Sequence, residues 1–371
     1  MHQGRPQALT ENGASPAVLS LSPTGERDPL VVSTLAGGAA LPGLGVDVAA
    51  TLAWCVEVGR RAPLAGSGDA RRLWEILAST ASRSVSAARM LEPHLDALSI
   101  LRQAGIDLAQ HGDAADLDCV SVDADSSWGV FAAESADVRL DAVAAAGGWV
   151  LRGTKPWCSL AANLSHALVT AFVGESDRRL FAVDLRAAGV RPRHGEWSPR
   201  GLPHVVSSPV DFDEVPAVPV GETGWYLARP GFAWGGMSVA ACWWGAAQGI
   251  SDALLAPARS ERADQLALVH LGRVDAALWA ARATLAEAAE LVDAGGSGED
   301  RDRILAERVR AVVVDAAVLT LAETDAALGP APLVTNAGHA ARVSDLHLYL
   351  RQHHGSRDLA RIGRLRSAAT A

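Results

Sequence analysis

Apolar residues follow a helical spacing in the first third of the chain. The pattern begins at Leu73, where apolar positions recur every three or four residues, and it stops at Gly105. Residues 1–29 contain Pro, Gly, Ser and Thr with little apolar pattern, which predicts a flexible tail. The sequence therefore predicts an N-terminal helical domain over residues 30–112.

The spacing of apolar residues shortens toward two after Gly112, which indicates β-strands. Gly, Asp or Pro separates the short segments, and no long helical pattern lies between them. Residues 113–222 are therefore predicted to form a middle antiparallel β-domain, either a barrel or a sandwich, rather than a Rossmann sheet. The β-like segments begin at Trp128, Trp149, His166, Leu180 and Val205.

Long alanine-rich helical patterns occupy the end of the chain. They span residues 233–255, 264–292 and 301–328. Pro257 and a glycine-rich linker at 295–298 separate them. Helices of this length are typical of a bundle, so residues 223–371 are predicted to form a C-terminal four-helix bundle. The predicted fold class is α+β, in the order helices, β-domain, helices.

Composition and charge exclude several classes of protein. The chain has 371 residues and is 49% apolar, enough to bury the cores of two or three domains. Its formal net charge of −9 gives no basic surface for nucleic acid. No apolar run approaches the roughly 20 residues of a membrane span, and the first residues show no secretory signal. A cytoplasmic protein with no nucleic-acid or membrane partner is predicted.

The cysteines and the paired histidines give no sign of a metal site or a disulfide framework. His353 and His354 are adjacent, so they point to different faces, and no third ligand has helical spacing to them. No metal is therefore predicted. The cysteines are scattered without a Cys-x-x-Cys pair, at Cys55, Cys119, Cys158 and Cys242.

Two motifs far apart in the chain carry a family resemblance. The first is Gly153-Thr-Lys-Pro-Trp-Cys-Ser159, and the second runs from Arg342-Val-Ser-Asp345 to a Gly355-Ser356 turn. Together they resemble the acyl-CoA dehydrogenase family of flavoproteins. In that family Gly-x-Lys-x-Trp-x-Ser/Thr lies in the middle β-domain, and Arg-x-x-Asp and Gly-Thr/Ser lie in the last helices. The resemblance implies the acyl-CoA dehydrogenase fold and an FAD cofactor.

The resemblance also assigns flavin contacts to individual residues. Trp157 and Ser159 are expected two residues apart on one face of a strand, where the indole packs on the flavin and the hydroxyl bonds its edge. The segment Phe131-Ala-Ala-Glu134-Ser135 resembles the family's Thr-Glu-Pro, with Ala133 in place of the Thr that bonds the pyrimidine. The implied cofactor-binding residues are Phe131, Ala133, Ser135, Trp157, Ser159, Gly355 and Ser356.

Two parts of the family's machinery are changed in this chain. The glycine-rich phosphate loop after Thr-Glu-Pro is shortened, because Ser135 leads directly to Ala136. The usual base is a carboxylate that removes the α-proton of an acyl thioester, and counting from the flanking motifs places its position at Asn336, whose amide cannot accept a proton. The alternative position on the first long helix of the bundle is Gly235.

Three functions are left open. The first is an FAD-dependent oxidoreductase of the acyl-CoA dehydrogenase type, acting on a CH–CH bond of an acyl thioester or a related small molecule. The second is a flavin-dependent monooxygenase or N-oxygenase of the same fold, with His94, His353 and His354 as catalytic candidates beside Ser159. The third is an inactive subunit that pairs with an active homologue. The bundle is expected to form a homodimer or homotetramer.

Several charged residues are predicted to face solvent. Glu134 flanks a predicted strand. The last helices carry charges of alternating sign, a pattern typical of a solvated or subunit-facing surface. Those charges are Arg342, Asp345, Arg351, Arg357 and Asp358.

Overall fold

Four helices form the N-terminal part of the computed structural model, which describes residues 18–106, 108, 117, 120–195, 197–261, 264–296 and 298–368. Side chains cap three of these helices: Asp28 and Asp47 accept bonds from first-turn amides of α1 and α2, and Ser84 ends α3 and caps α4. The helices are α1 (Pro29–Ala39), α2 (Val48–Gly59), α3 (Ala70–Arg83) and α4 (Val85–Gln103).

Residues 18–28 do not form the flexible tail that the sequence predicted. Leu21 is buried, its backbone amide donates to Glu75 Oε1 at 2.7 Å, and Arg282 donates to its carbonyl oxygen. These bonds to α3 and to a helix of the C-terminal bundle satisfy the backbone, which a sequence pattern cannot show. The rest of the predicted tail, residues 1–17, lies outside the described residues.

Seven strands lie in the described part of the middle domain, and five of them close into a barrel in the order β4-β2-β3-β7-β5 and back to β4. Closure leaves no unpaired edge in the ring. Most pairings are antiparallel as predicted, but β1 and β2 pair with β4 in parallel. The strands are β1 (Trp128–Phe131), β2 (Leu140–Ala145), β3 (Gly148–Lys155), β4 (His166–Phe172), β5 (Arg178–Asp184), β6 (Val190–Pro192) and β7 (Val210–Val220).

The remaining helices form the C-terminal bundle, in which α9 packs against α6, α8 and α12, and α11 packs against α6. The predicted order of helices, β-domain and helices is confirmed. Among the described residues no helix is both long and apolar enough to cross a membrane. The helices are α5 (Trp225–Ala228), α6 (Pro230–Ser251), α7 (Leu255–Ala258), α8 (Gln265–Asp293), α9 (Glu299–Leu328), α10 (Ala331–Thr335), α11 (Ala337–Tyr349) and α12 (Ser356–Ala368).

Two glycines bring the C-terminal bundle into contact with the N-terminal helices. A methyl group at Gly245 of α6 would collide with the carbonyl group of Ala78, and one at Gly249 would collide with that of Ser82. Both carbonyls belong to α3, so α3 and α6 lie backbone against backbone for one helical turn.

Asp345 and Asp358 are buried rather than solvated. Asp345 accepts hydrogen bonds from Ser86 and from the backbone of Leu202, and Asp358 accepts one from the backbone of His354. The prediction of an exposed alternating-sign surface is therefore wrong for these two residues. The partners of Asp345 come from other parts of the fold, whereas Asp358 is buried against the turn that precedes its own helix.

Candidate active site

Trp157 and Ser159 lie in a turn just after β3 and not on a strand as predicted. The strand ends at Lys155 because Pro156 cannot donate to a ladder and Trp157 has a φ of 59°. This left-handed backbone projects the Trp157 side chain outward, where the residue is 58% exposed. An exposed indole of this size is a flat apolar surface on which a ring can stack.

Ser159 connects the β-domain to α4. Its hydroxyl lies 2.8 Å from the hydroxyl of Ser207 and accepts a bond from Arg89 Nη2 at 3.4 Å. Arg89 Nη1 in turn lies 3.8 Å from Glu92 Oε2. Arg89 therefore bridges the serine beside the exposed indole and a carboxylate one helical turn further along α4.

The other predicted flavin contacts lie at and after the end of β1, and they differ in how far they are exposed to solvent. The Phe131 side chain is buried in the core, whereas Ala133 is exposed beyond the last paired residue of the strand. Ser135 forms an isolated bridge with Val138, so it belongs to a local turn. Ala133 is exposed at this strand end, so its backbone amide and carbonyl can serve as hydrogen-bonding groups at the surface.

A buried ion pair fixes this strand end. Lys155 is fully buried, and its Nζ donates to Glu134 Oε1 at 2.6 Å and to Thr170 Oγ1 at 2.9 Å. Burial lowers the pKa of Lys155, and the bond to Glu134 opposes this effect. Glu134 was predicted to face solvent, but its carboxylate points to the buried lysine and is only partly exposed.

A cleft of about 610 Å³, here called the central cleft, lies between α4, α5, α6, α9 and α12. Five carboxylates and four guanidinium groups line it. Its apolar residues include Tyr226 and Phe232, whose rings meet edge to face at 5.5 Å. Phe232 is 43% exposed and gives the cleft a partly aromatic rim.

Most of the cations in the central cleft already have partners. Arg361 pairs with Glu307 and with Asp358, and Arg229 donates to Gln103 at 2.7 Å and lies 3.6 Å from Asp96. Arg310 donates to the carbonyl oxygens of Gly236 and Gln352 and lies over the Trp243 ring at 4.6 Å.

Glu92 is the acid in the cleft with the least direct compensation. It is 7% exposed and makes no hydrogen bond to any residue in the described part of the chain. Burial raises the pKa of its carboxyl group to about 7, and the neighbouring Asp96 adds to this effect while Arg89 opposes it. In the sequence, the only signal for this pair is that Glu92 and Asp96 are four residues apart on a predicted helix.

The two adjacent histidines have different surroundings. The His354 side chain is 63% exposed and lines the central cleft, with Nδ1 at 3.5 Å from Asp358 Oδ1. The His353 side chain is buried, packs edge-on against Trp243, and its Nδ1 accepts from the Gly355 amide. Burial lowers the pKa of His353. The turn reverses at Gly355, where φ is 57°, and Ser356 begins α12.

His94 does not join the other predicted catalytic residues. It lies in the middle of α4, where Pro93 does not end the helix, and its Nδ1 accepts from the Trp128 amide at 3.2 Å. Its Nε2 faces Gly59 of α2, on the side of the helix opposite to Glu92. Burial lowers the pKa of His94 to about 4, which keeps the ring neutral. His94 thus lies between α4, α2 and β1, where it lines a cavity of about 510 Å³ that shares none of its described lining residues with the central cleft.

Neither predicted base position supplies a carboxylate. Asn336 is exposed and caps α11 by accepting from the His339 amide, and it is not among the residues that line the central cleft. Gly235 does line the cleft, and Asp96 Oδ1 lies next to the position that a Cβ atom would occupy there. The acids that reach this space come instead from α4, α9 and α12.

Comparison with known proteins agrees with this architecture. Residues 222–350 match the acyl-CoA dehydrogenase C-terminal domain family. Butyryl-CoA dehydrogenase from Megasphaera elsdenii superposes with a TM-score of 0.75 at 15% identity, covering 91% of this chain and 98% of that chain. The chain has the acyl-CoA dehydrogenase fold. A comparison with curated protein sequences gives no match.

Two other proteins share the acyl-CoA dehydrogenase fold with this chain. KijD3, in complex with FMN and a dTDP-linked amino sugar, has a TM-score of 0.73 at 18% identity, covering 96% of this chain and 97% of that chain. TdsC, a dibenzothiophene monooxygenase from Paenibacillus sp. A11-2, has a TM-score of 0.66 at 18% identity, covering 79% and 81%. A further TdsC structure contains FMN and indole.

The residues present fit a flavin ring better than they fit a metal. Trp157 offers an exposed flat surface, Ser159 a hydroxyl beside it, and Ala133 an exposed backbone edge. No group of three or more His, Cys, Asp or Glu residues within the described ranges could hold a metal ion.

Proposed function

We propose that the protein is a flavin-dependent monooxygenase that acts on a small polar molecule in the central cleft. The polarity of the cleft carries this proposal, because nine charged side chains line it. The transfer of an acyl chain from water into a cleft is favourable only if the walls of the cleft are apolar. A lining of carboxylates and guanidinium groups instead favours a substrate that can hydrogen-bond.

In this proposal the flavin ring stacks on Trp157, with Ser159 and the backbone near Ala133 at its edges. FMN is a better fit than the FAD implied by the family resemblance, since the shortened loop after Ser135 removes a phosphate-binding segment. FMN is also the flavin in the KijD3 and TdsC structures. Arg89 then lies between the flavin and the cleft, where its guanidinium can hold either partner.

A bound flavin, reduced by a separate reductase, would supply the two electrons for activating molecular oxygen, so that one oxygen atom could enter the substrate and the other leave as water. The chain's own residues orient the substrate and exchange protons with it. His354 is well placed for this because its ring lines the cleft beside Asp358.

Acyl-CoA dehydrogenation is the second candidate, and one observation favours it. Glu92 is a carboxylate in the cleft, so a base for α-proton removal exists even though Asn336 and Gly235 provide none. The two functions differ in what reduces the flavin. A dehydrogenase flavin is reduced by its acyl substrate, whereas a monooxygenase flavin of this kind receives electrons from another protein.

Flavin binding and reduction separate the candidates. The purified protein is titrated with FMN and with FAD, followed by absorbance, and butyryl-CoA is then added without oxygen. We expect FMN to bind and its absorbance to persist with butyryl-CoA. Bleaching by butyryl-CoA would establish the dehydrogenase instead. Failure to bind either flavin would reject both functions and favour an inactive subunit.

Oxygenation is tested with the two ligand types found in the similar structures. Reduced, FMN-loaded protein is mixed with oxygen and either indole or a dTDP-linked amino sugar, and mass spectrometry follows the gain of one oxygen atom. His354→Gln should reduce product formation about 100-fold if His354 exchanges a proton during the reaction. His347→Gln is the matched control, since His347 is exposed on α11 and is not among the cleft residues.

A further inference from the structure

Glu92 and Asp96 place carboxylate groups on the central cleft from one face of α4, and the cations nearest to them, Arg89 and Arg229, lie at 3.8 and 3.6 Å. They are four residues apart, so their side chains lie on adjacent turns of the helix. Glu92 is more than nine-tenths buried yet makes no hydrogen bond in the described part of the chain. Asp96 Oδ1 is buried and makes no hydrogen bond either, although Arg229 lies 3.6 Å away.

Glu307 and Asp358 each have one buried oxygen without a hydrogen bond as well, but they differ from Glu92 in having a direct partner on the other oxygen. Glu307 pairs directly with Arg361, and Asp358 accepts from the His354 amide at 2.9 Å, whereas Glu92 lies 3.8 Å from Arg89. A buried carboxylate without a hydrogen bond is costly unless a ligand or water completes its surroundings. The α4 wall of the cleft is therefore built to receive hydrogen-bond donors.

We propose that Glu92 binds the ammonium form of a substrate amine and takes its proton, with Asp96 accepting a second hydrogen bond. This role rests on the proposed function and assigns its substrate class. The step is a proton transfer from the substrate ammonium group to a Glu92 oxygen, which breaks an N–H bond, forms the carboxyl O–H bond and leaves the neutral amine nitrogen with a lone pair for oxygenation.

Burial and the neighbouring charges bring the pKa of the Glu92 carboxyl group close to neutral pH. Burial raises its pKa to about 7, Asp96 also raises it, and Arg89 and Arg310 lower it. Burial raises the pKa of Tyr226, Cys242 and Tyr349, so these neighbours stay neutral near pH 7. A base of this strength can both accept and release a proton at neutral pH. The groups that face it are Arg89 and Asp96 on α4, Tyr226 on α5, Cys242 on α6, Arg310 on α9 and Tyr349 on α11.

Binding of simple donors tests the proposal without turnover. Benzylamine and benzyl alcohol are titrated calorimetrically into the FMN-loaded protein at pH 6 and pH 8. Benzylamine should bind about tenfold more tightly at pH 8, because the ionised fraction of a carboxyl group with a pKa near 7 rises by about that factor. Glu92→Gln should remove this pH dependence, and Glu287→Gln, which changes an exposed residue of α8, should leave it unchanged.

The outcomes distinguish this proposal from the proposed function. Tighter binding of benzyl alcohol than of benzylamine would overturn the assignment of an amine substrate. No binding of either probe, or the same pH dependence in Glu92→Gln, would overturn the role of Glu92 even if FMN binds normally. If the variant does not fold, carbon-13 NMR of glutamate carboxyls in the wild type decides: absence of any glutamate titrating near neutral pH overturns the role.

Discussion

Asp345 of α11 accepts a hydrogen bond from the Ser86 hydroxyl of α4 at 2.9 Å. Its other carboxylate oxygen accepts from the backbone amide of Leu202, in the loop that precedes β7. One side chain therefore joins the N-terminal helices, the β-domain and the C-terminal bundle. The Asp of the Arg-x-x-Asp motif thus has a structural role that accounts for its position.

Replacing Asp345 with Ala should destabilise the protein by about 2 kcal/mol, because the buried amide of Leu202 and the hydroxyl of Ser86 lose their acceptor. Urea unfolding measures the change. Ser86→Ala is the comparison, with an expected loss of only about 1 kcal/mol since the Leu202 bond remains. Equal stability of Asp345→Ala and wild type would contradict a joining role.

Replacing Trp157 with Ala should weaken FMN binding several-fold, because ring stacking contributes roughly 0.5–1.5 kcal/mol beyond the burial of area. The exposed side chain makes few structural contacts, so the unfolding midpoint should not change. Fluorescence titration with FMN gives the affinity. Trp279→Ala provides the control, since Trp279 is a similarly exposed tryptophan on α8; an equal loss of affinity in both variants would argue against a flavin wall at Trp157.

Replacing Glu134 with Gln should cost about 3 kcal/mol, since the fully buried Lys155 ammonium loses its charged partner. The double variant Lys155→Met with Glu134→Gln should recover most of this stability, because it removes the buried charge as well. Thermal unfolding compares the three proteins. A double variant no more stable than Glu134→Gln would show that the pair contributes by packing rather than by charge.

The stability of the protein should fall between pH 6.5 and pH 4 because of His94. The pKa of His94 in the folded protein is about 4, below its ordinary value of 6.5. The unfolded chain therefore binds the proton more tightly, so acid lowers the free energy of the unfolded state relative to the folded state. The loss attributable to His94 between pH 7.5 and pH 5 is about 2 kcal/mol. Urea unfolding of wild type and His94→Gln at both pH values isolates this part, and an identical pH dependence would contradict the burial of a neutral ring.

Repeating patterns made the helices and strands predictable. The predicted bundle helices lie within a few residues of α6, α8 and α9, because long alanine-rich periods and the breaks at Pro257 and 295–298 are local signals. The β-domain followed from strand spacing, but its parallel pairing through β4 depends on contacts far apart in sequence.

The candidate site was only partly predictable for the same reason. The motif located the exposed indole of Trp157, but not the turn that exposes it, since that turn depends on a left-handed φ. The cleft acids Glu92 and Asp96 gave no motif, because their significance lies in facing α6 and α9 across space. His94 had the right residue type, yet the rotation of α4 turns it toward α2.

The glycine contacts between α3 and α6 also limit how a molecule can enter the interior. Since Gly245 and Gly249 seat one backbone against the other, the two helices cannot part without opening a void along a whole turn. A molecule therefore cannot pass between α3 and α6. The part of α6 that lines the central cleft, which includes Gly235 and Gly236, belongs to a helix that α3 holds rigidly in place.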